Sequence, residues 1–239
     1  MSEKRFFLKG VELGKNIIEG EEHNHLANVM RIKVGEEIVL IGDDDFDYFA
    51  KVVEIKKNQT IVDVFKKEIN LANPIVEVTA FVAMNKREHM SLIVRMLSEL
   101  GVSTIIPIIT KWTLKQDQTD KIDRYQKIAD QSIKQCERSK TMKIQKPLKL
   151  QDACKQFGEF EKVYFAYEKA EKSTIDCNLD SKKIAFIIGP VAGFDVDEAK
   201  MIEAAGATPI TLGKRILRAD TATIALASAI MNRVGEWNR

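Results

Sequence analysis

The stretch IAFIIGPVAGFDVDEA, residues 184–199, decides the fold. An apolar run halts at Gly189-Pro190, a second glycine follows at Gly193, and acidic residues then open a helix. A run apolar on both faces reads as a strand inside a covered parallel sheet. In such sheets, ligands bind in the loops beyond the carboxyl ends of the strands. Asp195 and Glu198 also have the D-x-x-E spacing of a helix capping box. The loop lacks the lysine and the glycine spacing of a phosphate cradle, so its ligand is of another kind.

Working outward, the same signature recurs. YFAYE ends at Glu168 and ITLG ends at Gly213, giving three similar strand ends. Upstream, IVEVTAFVAM (75–84) is near-continuously apolar. KREHMSLIVRMLSELG (86–101) then sets Met90, Ile93, Val94, Leu97 and Leu100 on one helical stripe, with Gly101 at the C-cap. VSTIIPII is a further strand. Residues 119–137 form an amphipathic helix with Ile122, Tyr125, Ile128, Ile133 and Cys136 inward. KVYFAY, IAFIIG, a helix from Asp195, ATPITLG and a final helix with Asp220-Thr221 as its N-cap complete the chain. Strands alternating with helices predict a parallel α/β sheet over residues 73–239.

Residues 1–72 read differently. EEIVLIG, YFAKVVEI and TIVDVFKK alternate in polarity and are separated by DDDFD and KKNQ, which predicts a small antiparallel β-barrel. NLANP (70–74) reads as a linker. Asp43, Asp44, Asp45 and Asp47 fill a hairpin turn without the EF-hand spacing, and His23, His25 and His89 have no metal-ligand spacing, so no metal is expected. Cys136, Cys154 and Cys177 are odd in number and widely spaced, which fits reduced thiols in a cytoplasmic protein. The run ATIALASAIM is too short to span a bilayer, so no membrane is expected.

Charge is unevenly distributed. Residues 1–73 carry 11 Lys/Arg against 14 Asp/Glu, whereas residues 121–149 carry nine against three. A local basic excess suits a polyanion such as nucleic acid. Near the C-terminus, Arg215 and Arg218 precede a helix built from Ala222, Ala225, Ala227, Ser228 and Ala229, whose small side chains admit close backbone approach. No G-x-G-x-x-G, P-loop, G-x-S-x-G or H-E-x-x-H motif occurs.

KRFF, HLANVMRIKVGEEIVL, SELGVSTIIP, QCERS, FAYEKA, IGPVAGF and LGKRILRADTA occur in that order. In this the chain resembles the ribosomal RNA small-subunit methyltransferase E family of the SPOUT class, nearly end to end. The resemblance implies an N-terminal PUA-like β-barrel for RNA binding. It also implies a C-terminal α/β domain whose chain forms a trefoil knot. It implies S-adenosylmethionine as cofactor, a homodimer, and methylation of N3 of a uridine in small-subunit (16S) ribosomal RNA. Carried onto this sequence, Ala166, Gly189, Pro190, Gly193, Leu212, Gly213, Ile216 and Leu217 are expected to line the cofactor pocket. Arg218, Asp220 and Glu168 are expected at the chemistry, with Arg218 stabilising a uridine anion and either carboxylate as proton acceptor. Arg5, Arg31, Lys134, Arg138, Lys140 and Lys143 are expected to meet RNA phosphates. The family usually has P-E-G-G where Pro190-Val191-Ala192-Gly193 stand, a lysine where Met96 stands, an arginine near Trp112, and R-T-E-T-A where residues 218–222 read RADTA. Two alternatives stand beside this reading. One is a non-catalytic RNA-binding assembly factor of the same fold, and the other is an unrelated nucleotide-dependent α/β enzyme.

Overall fold

The computed structural model describes residues 4–84, 86–113, 122–171 and 174–238. The chain divides into two compact units, Met1–Asn73 with Ile133–Thr141, and Pro74–Ser132 with Met142–Arg239. Residues 133–141 thus belong with the N-terminal unit, which no boundary near residue 72 anticipates.

The first unit is built from β1 (Arg5–Phe7), β2 (Gly14–Glu19), α1 (Gly20–Asn24), a π-helical turn (His25–Val29), β3 (Glu37–Ile41), β4 (Phe46–Ile55) and β5 (Gln59–Ile69). Its sheet has the order β1-β3-β4-β5-β2, antiparallel except for the parallel β1–β3 pair. β1 and β2 lie at opposite ends of that order, so the expected small antiparallel barrel takes the form of a curled half-barrel. Its core includes Phe6, Ile18, Leu26, Leu40, Val52 and Val62. Two irregularities in the β4–β5 register, at Phe49/Ala50 and Val52/Glu54, help it curl.

The expected linker, 70–74, holds the division between the two units, and its two asparagines are buried in a polar node. Asn70 donates to Asp47 Oδ1 and to the Glu137 carbonyl, each at 2.8 Å. Asn73 donates to Ser139 Oγ at 2.7 Å and accepts from the amides of Ser139 and Lys140. Thr141 N donates to Asp43 Oδ1, Ser139 Oγ donates to the Asp44 carbonyl, and Lys140 pairs with Asp45. The aspartate-rich turn therefore fastens residues 137–141. Among the described residues there is no cluster that could hold a metal ion.

The second unit contains β6 (Glu77–Ala83), α2 (Arg87–Glu99), β7 (Thr104–Ile109), α3 (Ile122–Gln135, whose last three residues belong to the first unit), β8 (Lys143–Ile144), β9 (Leu148–Lys149), α4 (Leu150–Cys154), β10 (Lys162–Ala166), β11 (Lys183–Ile188), α5 (Val196–Ala204), β12 (Thr208–Ile210) and α6 (Ala219–Arg233). All its strand pairs are parallel, in the order β12-β10-β11-β6-β7-β8, with β9 also on β7. Helices cover both faces. Met90, Ile93, Val94 and Leu97 of α2 join Leu226, Ala227 and Ile230 of α6 in one core, while Ala153, Phe157, Ala199 and Ile202 form the core on the other side. α2 ends in a Schellman motif, with Val102 N bonded to the Leu97 carbonyl and Gly101 N to that of Ser98, and Gly101 at φ 94°. The expected helix over 119–137 is described from Ile122 to Gln135, and residues 119–121 lie outside the described residues. β8, β9 and α4 were not anticipated, because two-residue strands and a five-residue helix are too short to leave a period.

Candidate cofactor site

The three strand ends singled out in the sequence belong to β10, β11 and β12, which are direct neighbours in the sheet. Parallel neighbours point their carboxyl ends the same way, so their loops emerge side by side. They enclose a cavity of about 690 Å³. Ala166, Tyr167, Glu168 and Ala170 come from the first loop, and Gly189, Pro190, Val191, Ala192, Gly193 and Phe194 from the second. Thr211, Leu212, Gly213, Lys214, Arg215, Ile216 and Leu217 come from the third, and Ala219 and Ala222 of α6 close the wall. All eight residues expected at the cofactor therefore line one cavity, and so does Glu168.

The β11 loop is shaped by two glycines with different jobs. A Cβ on Gly189 would lie 2.9 Å from two carbons of the Phe194 ring. That ring is held edge-on to Phe165 at 5.2 Å, so it has little freedom to retreat. Gly193 donates to the Pro190 carbonyl at 2.9 Å and sits at φ 76°, a conformation natural to glycine. Ala192 is not among the residues with positive φ, so alanine there brings no left-handed strain. Replacing Gly189 with alanine is expected to cost about 1–3 kcal/mol through overpacking, read as a lower midpoint in urea unfolding.

The loop then enters α5 through the expected capping box. Asp195 accepts from Asp197 N at 3.1 Å, and Glu198 accepts from Asp195 N at 3.1 Å. Lys111, just past β7, adds a clamp, with Nζ 2.7 Å from Asp195 Oδ2 and its amide donating to Glu198 Oε1 at 2.7 Å. Hydrogen bonding from Lys111 holds the Asp195 carboxyl below its ordinary range, and Asp195 raises the Lys111 ammonium in return.

At α6 the structure shifts one expectation. The helix starts at Ala219 with Arg218 as N-cap, so Asp220 lies in the first turn rather than at the cap. Asp220 Oδ1 accepts from Thr221 N at 2.8 Å, and His89 Nδ1 is 3.0 Å from Oδ2. The hydrogen bond from His89 is the main reason that the Asp220 carboxyl is held below its ordinary range. His89 carried no signal in the sequence, because its partner is 131 residues away. Arg218 is exposed and lies between Leu217 and Ala219, both of which line the cavity, though neither Arg218 nor Asp220 does so.

The expected RNA contacts divide. Arg31, Lys140 and Lys143 are exposed. Arg5 is not, for it is buried with its guanidinium bidentate on Asp47 at 2.7 and 2.9 Å. Arg138 is also buried, at 3% exposure, and Lys134 is half-buried in an ion pair with Glu22. Those three basic side chains are committed to the interior of the first unit or its edge. A basic count along the sequence cannot separate them from phosphate ligands.

Comparison with known proteins agrees with this architecture. Residues 72–231 match the RNA methyltransferase domain, and residues 18–65 match the RNA methyltransferase PUA domain. The class is thus a PUA-bearing RNA methyltransferase. Ribosomal RNA small subunit methyltransferase E from Rickettsia conorii is 31% identical over 217 residues, covering 89% of this chain and 88% of that protein. Its namesake from Buchnera aphidicola (Acyrthosiphon pisum) is 29% identical over 226 residues, covering 92% and 88%. A crystal structure of the Neisseria gonorrhoeae protein of that name, bound to S-adenosyl methionine, superposes with a TM-score of 0.90 at 23% identity, covering 96% of this chain and 97% of that one. The chain belongs to the ribosomal RNA small subunit methyltransferase E family.

Proposed function

We propose that this protein transfers the methyl group of S-adenosylmethionine to N3 of a uridine in small-subunit (16S) ribosomal RNA. The observation that carries the reading is the cavity enclosed by three adjacent strand-end loops in a chain of this family. Its dimensions and lining suit an adenosyl group. Gly189, Pro190, Gly193, Leu212 and Leu217 offer apolar walls and close backbone, and Gly213 at φ 102° and Gly193 at φ 76° form turns that keep side chains out of the space. When bound, the cofactor supplies an already activated methyl on a sulfonium, so the protein's task is chiefly alignment.

The uridine N3–H bond must break as the N3–methyl bond forms, and negative charge gathers on the base. Arg218, exposed beside the cavity, supplies the cation that stabilises it. Asp220, one of the two carboxylates expected as proton acceptors, is held in its ionised form by the hydrogen bond from His89. Arg31 on the first unit and Lys143 on the second are suited to phosphates, as is Lys140 if RNA displaces Asp45.

Two family features belong to this proposal. A trefoil-knotted path is supported by the placement of β12 outside β10, followed by a return of the chain to pack α6 against α2. An experimental structure in which residues 211–217 run free of the 189–194 loop would remove it. A homodimer is supported by half-buried Ala225, Ser228 and Ala229 on α6. It predicts a dimer in sedimentation at micromolar concentration, and a monomer there would remove it. Such a substrate implies work in the cytoplasm. Among the described residues, no helix is long and apolar enough to cross a membrane.

The test of function is mass mapping of methylated uridines in small-subunit ribosomal RNA from cells with and without the gene. Loss of one N3-methyluridine on deletion is expected, and an unchanged map overturns the assignment. Failure to bind S-adenosylmethionine in calorimetry would leave the non-catalytic assembly factor as the better reading.

A further inference from the structure

The cavity has a charge pattern that the cofactor reading does not by itself use. Among its lining residues, Glu168 is the one carboxylate, and Lys214 and Arg215 are the cations. Glu168 follows β10 on the first loop, while the two cations stand together on the third. A Cβ built on Gly193 would be 3.8 Å from Glu168 Oε1, so the carboxylate reaches across to the tight turn of the second loop. Glu168 forms no ion pair or hydrogen bond among the described residues, in contrast to Asp195 and Asp220, which are both engaged. An acid left unpaired at the wall of a cavity is available to a ligand.

S-adenosylmethionine carries two positive centres, the sulfonium and the α-ammonium, and one carboxylate. From this complementarity we infer that Glu168 is the counter-ion of the cofactor's cationic methionine end, rather than the proton acceptor for uridine. It is a specificity-determining residue that favours the charged methyl donor over the neutral thioether left after transfer. The inference rests on the proposed cofactor.

The test is calorimetric binding of S-adenosylmethionine, S-adenosylhomocysteine and methylthioadenosine to the wild-type protein and to Glu168→Gln. The three ligands share the adenosyl group and carry two, one and no positive centres. Glu168→Gln should weaken S-adenosylmethionine by about fivefold, the scale of a solvent-exposed ion pair. S-adenosylhomocysteine should lose less and methylthioadenosine nothing. Glu168→Asp should recover part of the loss, and Lys169→Gln should match the wild type. An equal loss for all three ligands overturns the inference in favour of a ribose contact. No loss for any of them, with tight wild-type binding, overturns it and returns Glu168 to the RNA side of the reaction. A wild-type protein that binds none of the three removes the cofactor reading itself. If Glu168→Gln melts early, Glu168→Ser is measured in its place, and the ranking of the three ligands decides in the same way.

Discussion

Replacing Arg218 with alanine should lower the single-turnover methylation rate at saturating RNA by about 10²-fold or more, the scale seen when one donor to a developing anion is removed. Arg218 is the N-cap of α6, adjacent in the chain to Leu217 and Ala219 of the cavity wall. It is exposed and engaged by no carboxylate among the described residues, so its charge is available to substrate. The loss should appear in the bound-state rate and much less in the RNA affinity, because the residues proposed for phosphates, Arg31 and Lys143, are left unchanged. Its side chain makes no capping hydrogen bond, so α6 should survive the change. Arg218→Lys should retain part of the rate by keeping the charge while losing the planar fork. A normal rate at saturating RNA would reduce Arg218 to a docking residue.

The largest stability effect should come from Asp47. Its carboxylate receives both arms of the buried Arg5 guanidinium and the Asn70 amide. Asp47→Ala removes the carboxylate that both arms of a buried guanidinium contact, and removes a bond from the node that fastens residues 137–141. A loss of about 3–5 kcal/mol is expected, as when one partner of a buried ion pair is deleted. It should be read as faster amide hydrogen exchange across β3 and β4. The paired change Arg5→Met with Asp47→Leu should recover much of that loss, since it removes both charges together. If Asp47→Ala exchanges like the wild type, the pair is not structural and Arg5 returns to the list of RNA ligands. The same logic moves Arg138 away from RNA docking. Its replacement should act through folding of the first unit, since its side chain is buried.

Much of this molecule is written locally. The alternation in residues 36–67 set the β4–β5 ladder, because one face of that sheet is buried and the side-chain period is two. The stripe on α2, its glycine stop and the Asp195–Glu198 box were legible because each is a relation between residues at most a few turns apart. Three similar strand ends marked the loops that line the cavity, since the carboxyl edge of a parallel sheet is where such loops gather. The ordered motifs supplied the family.

What the chain could not declare locally was decided by pairing at long range. The order β12-β10-β11 brought the three loops together and made one cavity of them. Burial sorted the basic residues, sending Arg5 to Asp47 and Lys134 to Glu22 while leaving Arg31 and Lys143 in water. A lysine or arginine has the same letter in either place. Its role depends on whether a carboxylate from a distant segment reaches it first, and that is a property of the folded backbone. Residues 133–141, His89 opposite Asp220, and Glu168 over Gly193 are cases of the same kind. Local propensity fixes elements within a few residues, whereas desolvation and charge pairing act between whatever surfaces the tertiary fold brings into contact, and only those contacts assigned the charges of this protein to its core, its cavity and its surface.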